Sequence, residues 1–367
     1  MAVHLRLVSP ETDELNGLSR ILVVSDVITA TQYISFLQPL QQLVEAGRLK
    51  LFFADCPKTQ AAADILFEEA APDCLILSRC TLPGGEPLVK LARDNNIPSI
   101  YHIDDDLLRV PESLGADKFK AYNNPSRLKR LAGYMNNADL VYASTAALRL
   151  ALLESSITNT IEAGSIYCAV DPDQLLQPMI SPGPIIGYMG TSGHFNDLLM
   201  ILPAVERLME ENRTLRFELF GTIQMPQPLE RFGSRVQVHA PDLNYSGFIR
   251  KLHALGWWIG LAPLEDNTFN RCKADTKWVE YASAGIAVVA SAMPVYHQSC
   301  ANGSGILVAE DGDWYGAIHG LLLDSSKRRR MANLANEKLR SEYNLDILNS
   351  QLLRVIEQAR GIAAARH

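Results

Sequence analysis

The sequence contains no Cys-x-x-Cys pair, no long apolar run and no excess of basic charge. Its six cysteines (Cys56, Cys74, Cys80, Cys168, Cys272 and Cys300) are unevenly spaced. That spacing indicates neither a zinc site nor a redox motif, and it fits free thiols in a reducing compartment. There is no apolar run of about 18 residues, so no membrane-spanning helix is expected. The opening MAVHLRLVSPETDELNG lacks the apolar stretch of a signal peptide, so a cytoplasmic location is expected. A formal charge of −7 argues against a dedicated nucleic-acid binder, which presents a basic face. No Gly-x-Gly-x-x-Gly follows the first apolar strand, which disfavours a dinucleotide dehydrogenase.

What is present is a globular composition, 47% apolar and 20% charged, over 367 residues. That length suits two domains. Short apolar runs alternate with helical stretches. RILVVSD, LKLFFAD, DCLILSR, IPSIYHI and ADLVYAS read as strands in the first half. PIIGYMG, LRFELFG, RVQVHAP, WWIGLAP and GSGILVA read as strands in the second. Near-continuous apolar strands alternating with helices predict parallel sheets covered on both faces. The proline-rich Val170–Pro184 breaks the alternation and reads as a linker. The expected fold is therefore α/β, with two Rossmann-like domains facing across a cleft. Residues 1–170 form the first, 171–184 the linker and 185–345 the second. Ligands in such sheets bind beyond the carboxyl ends of the strands.

Three stretches place polar chemistry at those ends. In KADTKWVEYASAGIAVVAS (Lys273–Ser291), Asp275 reads as an N-cap and Gly285 as the stop of a helix. The N-terminus of that helix could hold a diphosphate, with Lys273 adding a full charge. Glu280, further along, could accept two ribose hydroxyls. A Lys277–Glu280 pair on a solvent-facing helix is the competing reading. In IGYMGTSGHFNDL, Gly190 and Gly193 allow close backbone approach, and Thr191, Ser192 and His194 offer donors. In IYHIDDDLLRVPE, three aspartates end a buried strand, which implies partners or a use for them. Magnesium binding there is the competing reading. His102, inside the strand, reads as a core histidine, and Trp257–Trp258 read as core.

These stretches resemble the GT-B-fold glycosyltransferases of group 1, or family 4. EYASAGIAVVAS is similar to the region after the family's Glu-x7-Glu motif, with Glu280 at the second Glu, the ribose ligand. The first Glu position, which faces the donor sugar, falls on Cys272. FNRCKADTKWVEY is close to the Asn-x-Cys-Lys-Ser-Asp-x-Lys-x-x-Glu-Tyr pattern of a bacterial surface-polysaccharide subgroup, which also carries Asp-Asp-Asp-Leu. The resemblance runs from about Arg20 to Asn349.

The resemblance implies a retaining glycosyltransferase. It would move a hexosyl or deoxyhexosyl group from a nucleotide-sugar to a glycan or lipid-linked acceptor in polysaccharide biosynthesis. It implies catalytic roles for Asp104, Asp105 and Lys273. Donor contacts would come from Gly190, Thr191, Ser192, His194, Asn270, Lys273, Thr276, Lys277 and Glu280. His194 would be the one chargeable group in its turn. No metal and no cofactor are expected, and residues 346–367 would return to the first domain as a helix. Two further alternatives are a GT-B-shaped scaffold that has lost catalysis and a sugar-nucleotide epimerase. SSKRRR (Ser325–Arg330) could touch anionic lipid at a membrane surface, though such runs are more often solvated helix faces.

Overall fold

A computed structural model of the chain describes residues 5–7, 19–242 and 244–366. Its first sheet contains β1 (Leu5–Leu7), β2 (Ser19–Ser25), β3 (Leu49–Asp55), β4 (Cys74–Ser78), β5 (Ser99–Ile103), β6 (Leu140–Ala143) and β7 (Ile161–Ala163). The order is β1-β3-β2-β4-β5-β6-β7. All pairs are parallel except β1 with β3, an antiparallel edge not read from the sequence. The second sheet contains β8 (Ile185–Gly190), β9 (Arg216–Gly221), β10 (Val236–His239), β11 (Ile259–Ala262), β12 (Ala287–Ser291) and β13 (Ile306–Val308). It is parallel throughout, in the order β10-β9-β8-β11-β12-β13. These are the two Rossmann-like units that the strand-helix alternation predicts.

Every residue of β4, β5 and β12 is buried, as apolar strands covered by helices on both faces must be. Tight approach fixes some positions. A Cβ on Gly187 would lie 1.9 Å from the Trp257 ring, so β8 passes that indole only as glycine. Trp257 is core and donates to Glu218 (2.9 Å), while Trp258 donates to the Ser181 carbonyl (2.9 Å).

The chain passes between the sheets at two adjacent points. The Val170 N–H bonds the Tyr343 carbonyl (2.9 Å), and the Leu345 N–H bonds the Val170 carbonyl (3.0 Å). The final helix, Leu345–Ala364, then lies on the first sheet. Its Leu352, Val355, Ile356 and Ala359 share a core with Ile21, Val23, Ile76 and Ile100. In both sheets the strand order reverses at the first strand of the unit, β2 against β4 and β8 against β11. The crevices at these two reversals are where the fold leaves room for ligands.

The segment between β5 and β6 holds two helices, Ala116–Tyr122 and Pro125–Asn137, that the sequence pattern did not separate. In SSKRRR, Arg328 folds back to stack on the Trp258 ring (4.1 Å) and to bond the Leu321 and Leu322 carbonyls. That residue is thus committed to its own domain. No described helix is long and apolar enough to cross a membrane.

Candidate active site

The aspartate run at the end of β5 is matched by three cations, Arg79, Lys273 and Arg109. Asp106 is fully buried and bonds Arg109 (2.7 Å). Asp104 is 9% exposed. Its Oδ2 accepts from Thr31 (3.0 Å), Arg79 (3.1 Å) and Tyr167 (3.0 Å). Asp104 therefore lies beneath the cleft surface, with three donors on Oδ2 and its Oδ1 buried without a hydrogen bond. Asp105 is half-open and touches Lys273 of the second domain (3.1 Å) and Arg79 (3.6 Å). Burial would push its carboxyl up, but Lys273 and Arg79 outweigh this and hold it at about 2. The like charges are tolerated because each carboxylate has its own cation.

Arg79 is the residue that sequence reasoning missed. It follows the last residue of β4, at φ 56, the left-handed region costly for a side chain of this size. Asp104, chiefly, raises its pKa against the opposing effect of burial, so it is a permanent cation. The only sequence signal was an arginine after a strand that is apolar up to Ser78. Lys118 was also missed. A Cβ on Gly193 would sit 3.6 Å from its ammonium, so it reaches the glycine turn from the opposite domain.

On the second domain, β8 ends in the Gly190 turn, and Thr191 and Ser192 are exposed. His194 bonds Asp197 through Nδ1 (2.7 Å), and Asp197 also accepts the Glu265 N–H (2.8 Å). The turn is thereby tied to the loop after β11. His194 does not supply the charge expected of it. Lys277, then burial, lowers its pKa to about 4, so the imidazole is neutral. Asn270 is buried and donates to the Glu265 carbonyl (3.0 Å), which holds its own loop.

The helix after Asp275 spans Thr276–Ser283. Asp275 stands at the cap position, but its carboxylate does not cap; it accepts from Tyr343 (2.7 Å). The Lys277–Glu280 ion pair is also absent among the described residues. Lys277 lies 5.0 Å over the Tyr188 ring, and burial lowers its pKa to about 8. Glu280 is 8% exposed and turns to Tyr245. Burial pushes its carboxyl up to about 7 despite Tyr245 and Lys277. It lines a cavity of about 250 Å³ with Tyr33, Ala169, Tyr245, Ser246 and Ser283. The floor residue Tyr33 belongs to a widened helical turn, Tyr33–Leu37, where Gln38 N–H bonds the Tyr33 carbonyl.

The structure therefore brings Lys273, Lys277, His194 and the glycine turn to one side of the cleft, with Arg79, Lys118 and Asp105 opposite. Glu280 sits apart from this cluster, one and a half turns along its helix. His102 is a core residue. It shares a hydrogen bond with Ser78 (3.0 Å), and burial lowers its pKa to about 4.

No family model matches the chain, and no curated protein matches it. Solved structures do. Sucrose-phosphate synthase from Thermosynechococcus elongatus aligns at TM-score 0.66 and 13% identity, covering 92% of this chain and 98% of that one. Anabaena Alr3699/HepE in complex with UDP-glucose aligns at 0.65 and 15%, covering 92% and 99%. S. aureus TarM aligns at 0.61 and 13%, covering 81% of this chain, which spans 58% of TarM.

The chain has the GT-B fold. In this GT-B chain the loop carrying Cys272 does something composition could not reveal. Phe269 and Cys272, which follow β11 of the second domain, are buried in the core of the first, beside Leu107 and Val110. Thr145 donates to the Cys272 carbonyl across the boundary (2.8 Å). Asn196 to the Ser113 carbonyl (3.2 Å) and Tyr33 with Ser246 (2.9 Å) add further crossings. The GT-B cleft is closed in this structure, and the Cys272 thiol faces packing rather than solvent.

Proposed function

We propose that this protein is a retaining glycosyltransferase that moves a sugar from a nucleotide-sugar to a glycan or lipid-linked acceptor. The observation that carries the reading is the charge balance of the cleft. Arg79, Lys118, Lys273 and Lys277 converge near Asp104, Asp105, Asp197 and neutral His194, one cation more than the carboxylates, in a chain of net charge −7. Arg79, Lys273 and Lys277 are half-buried, and a cation that has lost part of its water is costly unless an anion completes it. A diphosphate between the domains would do so, and it would be the leaving group whose charge such cations stabilise. Glu280 would accept the ribose hydroxyls inside its cavity, and the Tyr33–Tyr245 pair (5.4 Å) would border the base. Asp105 would face sugar and acceptor, while Asp104 positions Arg79. Gly190, Thr191 and Ser192 would bring backbone and hydroxyl donors to the phosphates. Closure would exclude water that otherwise hydrolyses the donor.

We assign residues 1–170 to the acceptor side and 185–345 to the donor side, with 346–367 bracing the first. The reaction needs no metal in this reading. Six free, buried cysteines fit a cytoplasmic setting. A second reading, a GT-B scaffold without catalysis, is favoured by Cys272, since no carboxylate stands where the resemblance would have one.

Titration calorimetry with UDP, GDP, CMP and dTDP, using Glu280→Ala as control, separates the two. UDP comes first, because HepE and TarM were crystallised with UDP or UDP-glucose. One nucleotide bound by the wild type and lost in the variant supports the transferase. No nucleotide bound by a folded sample supports the scaffold.

A further inference from the structure

The ends of β3 and β4 carry a pair of cysteines that the donor site does not use. Cys56 Sγ and Cys80 Sγ lie 2.8 Å apart, closer than van der Waals contact between two sulfurs. The approach is imposed by the backbone. Cys56 N–H bonds the Ser25 carbonyl (2.7 Å), and Tyr101 donates to the Cys80 carbonyl (2.9 Å). Tyr134 donates to the Leu82 carbonyl (2.6 Å), and Gly84 packs so tightly on Pro57 that a Cβ would meet its carbonyl at 1.7 Å. The two loops are therefore locked together whatever state the sulfurs are in.

Asp26 lies close enough to make a three-ligand set with these sulfurs. Two observations argue against a metal. Two thiolates on one tetrahedral zinc, each about 2.3 Å from it, stand roughly 3.8 Å apart. The Asp26 carboxylate, moreover, is filled by the Thr81 N–H, the Thr81 hydroxyl and the Leu82 N–H.

We infer that Cys56 and Cys80 are a reversible modification site, closing to an intramolecular disulfide when the chain meets a peroxide. Cys56 is 5% exposed and Cys80 is fully buried, so Cys56 reacts first. Its sulfur attacks one peroxide oxygen; the S–O bond forms, the O–O bond breaks, and the other oxygen leaves as water. The Cys80 sulfur then attacks the Cys56 sulfur; the S–S bond forms, the S–O bond breaks and a second water leaves. Two thiols and one hydrogen peroxide give one disulfide and two waters. Burial pushes the Cys80 thiol up, so its proton must pass to the departing hydroxide as the bond forms. Thr81, next in sequence, lines the polar cavity on the first domain with Asp26, Arg79 and Arg127. The disulfide would therefore form beneath that cavity. The inference does not rest on the donor reading.

The test is mass spectrometry of the native, full-length chain. It is treated with stoichiometric hydrogen peroxide, quenched with catalase, unfolded and alkylated. The expected product carries four alkylated cysteines rather than six, has a single Cys56–Cys80 cross-linked peptide pair, and reverts with dithiothreitol. Cys80→Ser should give no cross-link and leave Cys56 open to dimedone. Six alkylated cysteines in the treated wild type would overturn the inference. So would a cross-link between other cysteines, or stoichiometric zinc held by the wild type and lost in Cys80→Ser.

Discussion

Burial sets the chemistry of Glu280 before any ligand arrives. Its carboxyl is held at about 7, and the neighbouring Lys277 at about 8, each displaced toward neutrality by desolvation. A carboxylate can accept two ribose hydroxyls only when ionised, so nucleotide affinity should climb as pH rises to about 7. A diphosphate needs Lys277 protonated, so affinity should fall again above about 8. Calorimetry across that window should show an optimum between the two values. A profile that stays flat from one unit below 7 to one unit above 8 would separate these residues from the nucleotide. The same shift has a stability consequence. A carboxyl whose folded pKa is raised from 4.5 to about 7 holds its proton better in the folded state. Stability is therefore full below 4.5 and is lost as pH rises through 7. Glu280→Gln removes the buried charge. Above pH 7 it should be more stable than wild type by up to about 3 kcal/mol, and below 4.5 equal to it. Urea midpoints at the two extremes read this directly. A loss of stability above 7 would mean that the Tyr245 bond outweighs desolvation.

At the scale of elements, what could be read from the sequence followed from apolar continuity. The middles of β2 (ILVV), β4 (LIL) and β12 (AVVA) are strings of Val, Ile, Leu and Ala, the usual pattern of a strand buried on both faces, while the equally buried β5 mixes Ser99, Tyr101 and His102 with two isoleucines. β7, only three residues long, and β1, a short antiparallel edge, offer too little pattern to register. The helix Pro125–Asn137 buries only Leu131, Tyr134 and Met135 and follows a loop and a short helix with no buried residue, so no apolar run frames it. The candidate site drew notice where charges broke apolar runs, as at Asp104–Asp106 and Lys273–Glu280. Arg79, Thr31 and Tyr167, which share Asp104, lie far apart in sequence and meet only through the sheet order. Packing between elements also explains one glycine that the sequence left anonymous. Gly187→Ala would drive β8 into the Trp257 indole and displace its bond to Glu218, a buried carboxylate also held by His239 (3.0 Å). Overpacking plus a broken buried bond should cost about 3 kcal/mol or more. A denaturation midpoint within error of wild type would show that the indole can move aside.

In the whole molecule, the two sheets are held together by the final helix, by a core that joins Ile34 to Trp278 and Val279, and by the loop after β11. Phe269 and Cys272 leave their own domain to fill the core of the other, and Lys273, the next residue, reaches Asp105. If Lys273 holds the phosphates as proposed, a wedge and a ligand on one short loop would couple closure to the donor. Opening the cleft must withdraw Phe269 and Lys273 together, and a bound diphosphate must resist both. Phe269→Ala removes the aromatic part of the wedge while leaving each sheet and the Val170–Tyr343 and Leu345–Val170 crossover bonds intact. The ligand-free variant should therefore populate an open form, seen as a larger radius of gyration in small-angle X-ray scattering. The two domains should each stay folded, and saturating nucleotide should bring the radius back toward the wild-type value, because the cations on both sides of the cleft gain a shared anion. Nucleotide affinity should fall at the same time, since part of the binding energy then goes into closure. If the variant scatters like wild type without ligand, closure rests on the polar crossings, and the loop only lines the site.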